Sequence, residues 1–304
     1  MESFASTLGP YRKVKGWLAV SAALLAATIV LAFIAGMIAD FIMRGGPNVT
    51  VQFLTEAPRN SNMEGGIFPA LVGTTYLVLL MTLMGVPIGT ATAIYLSEYA
   101  RKGAWFPRMV RFTVNTLAGV SSIVFGLFGV GFFVQFVGGG LDSFLGTNSF
   151  NDGSLVWASA TLAVLTLPVV IVSVEEALRN VPRELREASL ALGATRWQTV
   201  SKVVLPNALS GILTGSVLAV GRGAGEVAAI LFVGVTYSAA TLPNAITDKF
   251  MHLGYHLYVL STQSPNVELA LPLQYATTIV LLGLTFLLNI TAIIIRSRLK
   301  TSIA

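Results

Sequence analysis

The chain has 304 residues, 54% of them hydrophobic and only 11% charged, with a formal net charge of +5. An ordinary soluble domain carries about 25% charged residues; this one, with a mean hydropathy of +0.76, cannot cover a water-facing surface, which excludes a cytosolic enzyme, a disordered tail and a nucleic-acid binder and leaves a polytopic membrane protein. No cysteine is present, so there is no disulfide framework, thiolate metal site or cysteine nucleophile.

A membrane-crossing helix needs about 20 mostly apolar residues. Runs free of Asp, Glu, Lys and Arg cover 16–39, 65–97, 112–141, 153–174, 203–221, 227–247 and 269–295. The first is read as a span and not as a cleaved signal peptide, because no small-residue cleavage site and soluble domain follow it. Pro69 is placed to open the second span and Pro87 to kink it; Pro168 is placed to kink the fourth. Gly85 with Gly89, and Gly126 with Gly129 and Gly131, predict close helix contacts. No inverted internal repeat of the kind many secondary transporters carry is visible.

The fifth and sixth runs are separated only by Gly221-Arg222-Gly223-Ala224-Gly225-Glu226, so they form either a hairpin or one helix containing an Arg and a Glu. The positive-inside rule decides between them. With one span there, six in all and the N-terminus inside, the cytoplasmic segments hold Arg12, Lys13, Lys15, Arg101, Lys102, Arg108, Arg111, Arg179, Arg183, Arg186, Arg196, Lys202, Arg296, Arg298 and Lys300, which is 15 of the 19 basic residues. The outer segments hold Arg44, Arg59 and Lys249. The expected spans are therefore 16–39, 68–97, 112–137, 155–178, 206–234 and 270–295. Residues 1–15 are a cytoplasmic tail, 40–67 an outer loop, 68–296 a core of five helices, and 297–304 a second cytoplasmic tail.

The most polar inward segment is 179–206. Pro182 suits an early helix position with Glu184 and Glu187 near the positive end of the dipole. Gly193 fits a C-terminal cap, and Thr195 with Gln198 fits a capping box opening a second helix. Helix–Gly–helix along the membrane surface is the result, with Pro206 opening the fifth span. Leu185, Leu190 and Leu192 make this either a docking knob or an amphipathic helix resting on headgroups.

Glu187-Ala188-Ser189, Gly193 and Leu205-Pro206 stand at the spacing of the EAA loop and resemble that loop of ABC importer permeases, with Ser189 where the family has Ala. The resemblance implies an all-α integral membrane protein of the type I ABC importer (MetI-like) permease fold. It also implies that Glu187, Ala188, Gly193, Leu205 and Pro206 couple the chain to a separate dimeric P-loop ATPase. The chain itself has no G-x-x-x-x-G-K-[ST] phosphate cradle; ATP and Mg would reside on that partner, and no cofactor or metal is expected here.

Arg222 and Glu226, four apart in one expected helix, would share a face. Each costs about 2.5–3.5 kcal/mol at mid-bilayer on insertion scales, so both should face protein or an aqueous path. A guanidinium offers a fork of donors to a tetrahedral oxyanion. Glu226 could hold Arg222, or accept a hydrogen bond from a protonated oxyanion, a proton that hydrogen phosphate carries and sulfate lacks. The alternative is a structural ion pair. The stretch 221–232 resembles the R-A-x-G-E-T-A-P-L-L-F stretch of phosphate-importer permeases, with Gly223, Val227 and Ala229 as departures. Similar pairs occur in sulfate and molybdate permeases.

Further stretches, 65–74, 93–100, 117–129 and 255–263, resemble the PstA-like subunit of phosphate importers. The implied partners are a homologous PstC-like second permease, the ATPase, a periplasmic or lipid-anchored phosphate-binding protein and the bilayer, with no nucleic acid. The implied location is a bacterial or archaeal cytoplasmic (inner) membrane. Asp248, His252 and His256, spaced by four, could line one helix face as metal ligands, but lack a fourth ligand and are read as a solvated loop. Asn115, Thr116, Ser121 and Ser122 either bind ligand or serve helix contacts. Glu175 and Glu176 read as an interfacial helix end beside Arg179. An ion-coupled secondary transporter would leave the 187–206 pattern a coincidence, and no acid–base or nucleophile constellation supports an enzyme.

Overall fold

The computed structural model describes residues 10–301 except Ser61, Met63, Lys102, Ala239 and Ala240. Residues 1–9 and 302–304, parts of the two expected tails, lie outside the described residues. Helix α1 (Pro10–Gly45) leads through a 3₁₀ turn to the short α2 (Val51–Thr55). A two-residue hairpin, β1 (Pro58–Arg59) and β2 (Glu64–Gly65), then precedes α3 (Phe68–Ile94). There follow α4 (Trp105–Leu117), α5 (Ser122–Phe128), α6 (Gly139–Leu145) and α7 (Leu155–Arg179). The short α8 (Arg183–Ala191) and α9 (Arg196–Thr199) come next, then α10 (Leu205–Ala224), α11 (Leu253–Thr262) and α12 (Val267–Thr301). A π-helical stretch, Gly129–Gly138, joins α5 to α6 without a break.

Six described helical stretches are long and apolar enough to cross a membrane: Gly16–Asn48, Phe68–Tyr99, Ser122–Leu145, Leu155–Arg179, Arg196–Ala224 and Val267–Ile294. The number matches the expectation, but several boundaries do not: the first span runs on to Asn48 and not 39, the third to Leu145 and not 137, and the fifth helical stretch begins at Arg196 and not 206. The third span starts at Ser122 and not at 112, because the chain breaks at 118–121, where Ser121 is extended. What precedes the break, α4, is strongly amphipathic and separate. The fifth helix stops at Ala224 and not at 234.

α7 is the axis of the fold, packed on both α3 and α10, and α12 packs on α10. Its most apolar stretch is 72% buried, whereas that of α1 is 0% buried, and α1 packs chiefly on α12 among the spans. In lipid, helices gain from close van der Waals approach, so small residues mark their contacts. The expected glycine pair does this: a Cβ at Gly85 would lie 3.4 Å from Ala163, and one at Gly89 only 2.7 Å from Val170. Pro69 opens α3, while Pro87 and Pro168 lie inside continuous helices.

The expected helix–Gly–helix forms at 183–199. Gly193 adopts φ +85°, a conformation costly for any residue with a Cβ, and Thr195 with Gln198 makes both bonds of a capping box. Ser189 and Thr199 hydroxyls, 3.0 Å apart, tie the two helices. A π-helical stretch, Val200–Val204, then accommodates Pro206, which has no N–H to donate. Asn207 donates its side-chain amide to the Val203 carbonyl at 2.7 Å.

Candidate functional site in the fifth span

α10 ends where three glycines fall in five residues, Gly221, Gly223 and Gly225, a sequence with poor helix propensity. Gly225 is its C-cap. Arg222 sits in the last turn, where the negative end of the helix dipole favours a cation. Beyond it the chain crosses the remaining depth without regular helix, in successive turns over 228–234. Such backbone is tolerated at membrane depth only when protein covers it. Ala229, Ile230 and Val233 are accordingly fully buried. A Cβ at Gly126 would lie 3.0 Å from the Ala229 carbonyl, and one at Gly129 3.0 Å from Val233, so two of the three expected α5 glycines make the close contacts. The Ser154 amide then donates to the Val233 carbonyl at 3.0 Å.

This corrects the expected geometry of the charged pair. Arg222 and Glu226 do not share a helix face, because Glu226 lies past the helix end. Nor do they form an ion pair: Glu226 accepts a hydrogen bond from the Ser122 hydroxyl at 3.1 Å, at the first turn of α5, while Arg222 is exposed and makes no hydrogen bond or ion pair to any described residue. A carboxylate thus faces the positive end of one helix and a guanidinium crowns the negative end of another. Gly221 approaches the Asn289 amide of α12, with a hypothetical Cβ 3.2 Å from its oxygen. That amide oxygen is buried with no hydrogen-bond partner among the described residues. Asn289 escaped the sequence reading, although a lone amide in an apolar run is a signal in itself. Of the hydroxyl candidates, Ser122 joins the site. Thr116 bonds back to the Phe112 carbonyl at 2.8 Å, and both Asn115 and Thr116 lie on α4, outside the span.

The EAA-like residues are separated by exposure. Glu187, Ala188 and Gly193 are exposed on and beside α8, as are Leu192 and Trp197, whereas Leu205 and Pro206 are half-buried at the head of α10. Behind α8, Arg186 pairs with Glu98 at 3.0 Å and donates to the Val181 and Leu178 carbonyls, both at 2.6 Å. Glu175 takes Arg111 at 2.9 Å and Arg179 at 3.6 Å, the interfacial role expected of it.

The remaining candidates do not form a metal site. Asp248 accepts from the Asn244 and Ala245 amides, His252 is the N-cap of α11, and no group of three potential ligands occurs among the described residues. The reading of a solvated loop fails: His252 and His256 are buried against α3 and α12, where the Leu253 amide donates to Thr74 Oγ1 at 2.9 Å. Burial pushes both imidazoles down to about 4, so both are neutral near pH 7.

Residues 85–301 match the family described as "Binding-protein-dependent transport system inner membrane component". The chain belongs to that family. It is 34% identical over 84% of its length, and 87% of the relative, to a protein of Bacillus subtilis named probable ABC transporter permease protein YqgI. It is 33% identical over 74% of its length, and 75% of the relative, to a phosphate transport system permease protein PstA of Haemophilus influenzae. In fold it is similar to a chain of a bacterial alginate ABC transporter, with a TM-score of 0.68 at 17% identity over 96% of this chain and 98% of the other. It is also similar to a chain of the MetNI methionine ABC transporter, with a TM-score of 0.55 at 24% identity over 77% and 94%. The six-helix ABC permease fold expected from the EAA-like loop is thereby established.

Proposed function

We propose that this chain is the PstA-like permease subunit of an ATP-driven inorganic phosphate importer and lines half of the translocation pathway. The observation that carries the reading is Arg222, a guanidinium at the broken end of the fifth span with no acceptor among the described residues. A buried or membrane-embedded charge without a partner is costly, so a group from outside the chain must complete it. A tetrahedral oxyanion offers two acceptors to the fork. Glu226, held by Ser122 and not by Arg222, keeps a lone pair for the proton of hydrogen phosphate. Named phosphate permeases among the relatives support this substrate.

In this reading a homologous second permease supplies the other half of the pathway and a secreted or lipid-anchored binding protein delivers phosphate. A P-loop ATPase dimer, which carries ATP and Mg, grips the exposed edge made by Glu187, Ala188 and Gly193. Leu205 and Pro206 transmit its motion to α10. Both termini and α8 then lie on the cytoplasmic side, and no catalytic group belongs to this chain.

The test is ATP-dependent uptake of labelled phosphate by the complete system in proteoliposomes. Arg222→Ala should lower uptake roughly 100-fold, the loss of about two charge-assisted hydrogen bonds, with assembly intact. Uptake at the wild-type rate would demote Arg222 to packing, and sulfate or molybdate outcompeting phosphate would move the substrate to another oxyanion. Gly193→Leu should leave ATP hydrolysis running while import falls.

A further inference from the structure

α4 is the one described helix that is neither a span nor part of the 183–199 loop on the arginine-rich end of the molecule. Its exposed residues Trp105, Met109 and Phe112 recur at i, i+4 and i+7 and so form one stripe, with Trp105 72% and Phe112 71% exposed. An aromatic, amphipathic helix of this kind lies in the headgroup layer of a membrane. Arg108 and Arg111 flank that stripe on the side turning toward the buried face of α4.

There they meet three more arginines. A pocket of about 590 Å³, open at its mouth, is lined by Arg101, Arg108, Arg111, Arg179 and Arg183, together with the Tyr95–Tyr99 turn and the start of α4. Five guanidinium groups are answered by one carboxylate, Glu175, which serves Arg111 and Arg179 together. Arg108 reaches only the Gly103 carbonyl, at 3.5 Å. Arg101 and Arg183 have no partner among the described residues. Glu98, nearby, is taken by Arg186, and Glu187 lies beyond ion-pair distance of Arg183.

Positive charge on the inner side of a membrane protein is general, but gathering five guanidinium groups around a concave site with one carboxylate among them is not. We propose that this pocket holds the phosphodiester headgroup of an anionic phospholipid, whose acyl chains run along the Trp105–Met109–Phe112 stripe. Basic pockets between spans suit such headgroups. The lipid source is favoured over free phosphate because the apolar stripe borders the arginines on the same helix. The occupant would fix α4 against the base of α8, and so set the seat on which the 183–199 loop rests.

The full chain, stripped of lipid in neutral detergent, is titrated with phosphatidylglycerol, with phosphatidylcholine of the same acyl chains, and with inorganic phosphate, and binding is read by native mass spectrometry. Phosphatidylglycerol should bind at least tenfold more tightly than phosphatidylcholine. The double variant Arg101→Gln, Arg183→Gln should weaken phosphatidylglycerol about 25-fold, roughly fivefold per arginine, and leave phosphatidylcholine unchanged. Neither arginine is ion-paired, so an unchanged melting temperature should accompany the loss. The double variant Arg196→Gln, Lys202→Gln, which also removes two positive charges at the same end but outside the pocket, should have no effect on the preference. Equal affinity for the two lipids, a preference surviving the Arg101→Gln, Arg183→Gln variant, or an equal loss with the Arg196→Gln, Lys202→Gln control would overturn the site. Displacement of the lipid by inorganic phosphate at millimolar concentration would instead assign the pocket to a free anion and sink the lipid proposal.

Discussion

Arg186 and Arg222 are both guanidinium groups in a largely apolar protein, and the fold treats them in opposite ways. Arg186 is enclosed, 19% exposed at its side chain, with a carboxylate and two carbonyls around it. Arg222 stands at a helix end with no acceptor among the described residues. A cation whose donors are used up locally is holding structure together. A cation left open, as Arg222 is, has its donors free for a group from outside the described residues. Sequence alone treats the two alike; the inventory of acceptors separates them.

The largest effect should come from the enclosed member. Arg186→Ala leaves Glu98, 12% exposed, without its counter-charge and frees two carbonyls at the base of α8. Breaking a buried pair by removing one partner costs about 3 kcal/mol or more, so thermal unfolding in detergent should move to clearly lower temperature and the yield of folded chain should drop. An unchanged melting curve would place Arg186 in the same class as Arg222 and erase the contrast.

The second effect is at the open member. Arg222→Lys keeps the charge but replaces a planar fork by a point cation. If Arg222 meets an oxyanion through two hydrogen bonds, phosphate uptake should fall about tenfold, the value of one such bond, while the melting temperature stays put. Full activity in the lysine variant would show that only charge matters and that bidentate geometry does not.

How much of this was legible in the sequence depends on the range over which each feature is decided. The 183–199 segment was readable because caps are local: Gly193, Thr195 and Gln198 each act within a few residues, and all behave as their types dictate. The count of spans was readable because hydropathy and charge asymmetry accumulate over long stretches. The end of α10 was not. The glycines at 221, 223 and 225 weaken the helix locally, but the apolar run continues past Ala224, and the path the chain takes there is a fit of residues 228–233 onto Gly126 and Gly129, about a hundred positions away. The histidines failed for the same reason: a polar spacing suggested a loop, and burial against α3 and α12 overrode it. Within the site, Arg222 and Glu226 were visible as anomalies of composition, but their separation and the role of Ser122 follow from that same distant packing.

Ser122 therefore offers the finest probe of the contrast. Its hydroxyl is the only described side-chain donor to Glu226, and it sits at the N-terminus of α5, whose free amides also favour a negative charge there. Ser122→Ala removes one hydrogen bond to a charged acceptor, worth about 1.5 kcal/mol, and the helix end compensates part of that. If Glu226 is poised to accept a hydrogen bond from hydrogen phosphate, the freed carboxylate can swing toward Arg222 and close the pathway on itself. Phosphate uptake should then drop about threefold to fivefold, and the additional change Glu226→Gln should restore part of it by ending the attraction. A structural serine would behave otherwise: uptake would hold, the melting temperature would shift slightly, and Glu226→Gln would rescue nothing. The direction of that double substitution decides whether the carboxylate belongs with the open arginine or with the packing of the helix that faces it.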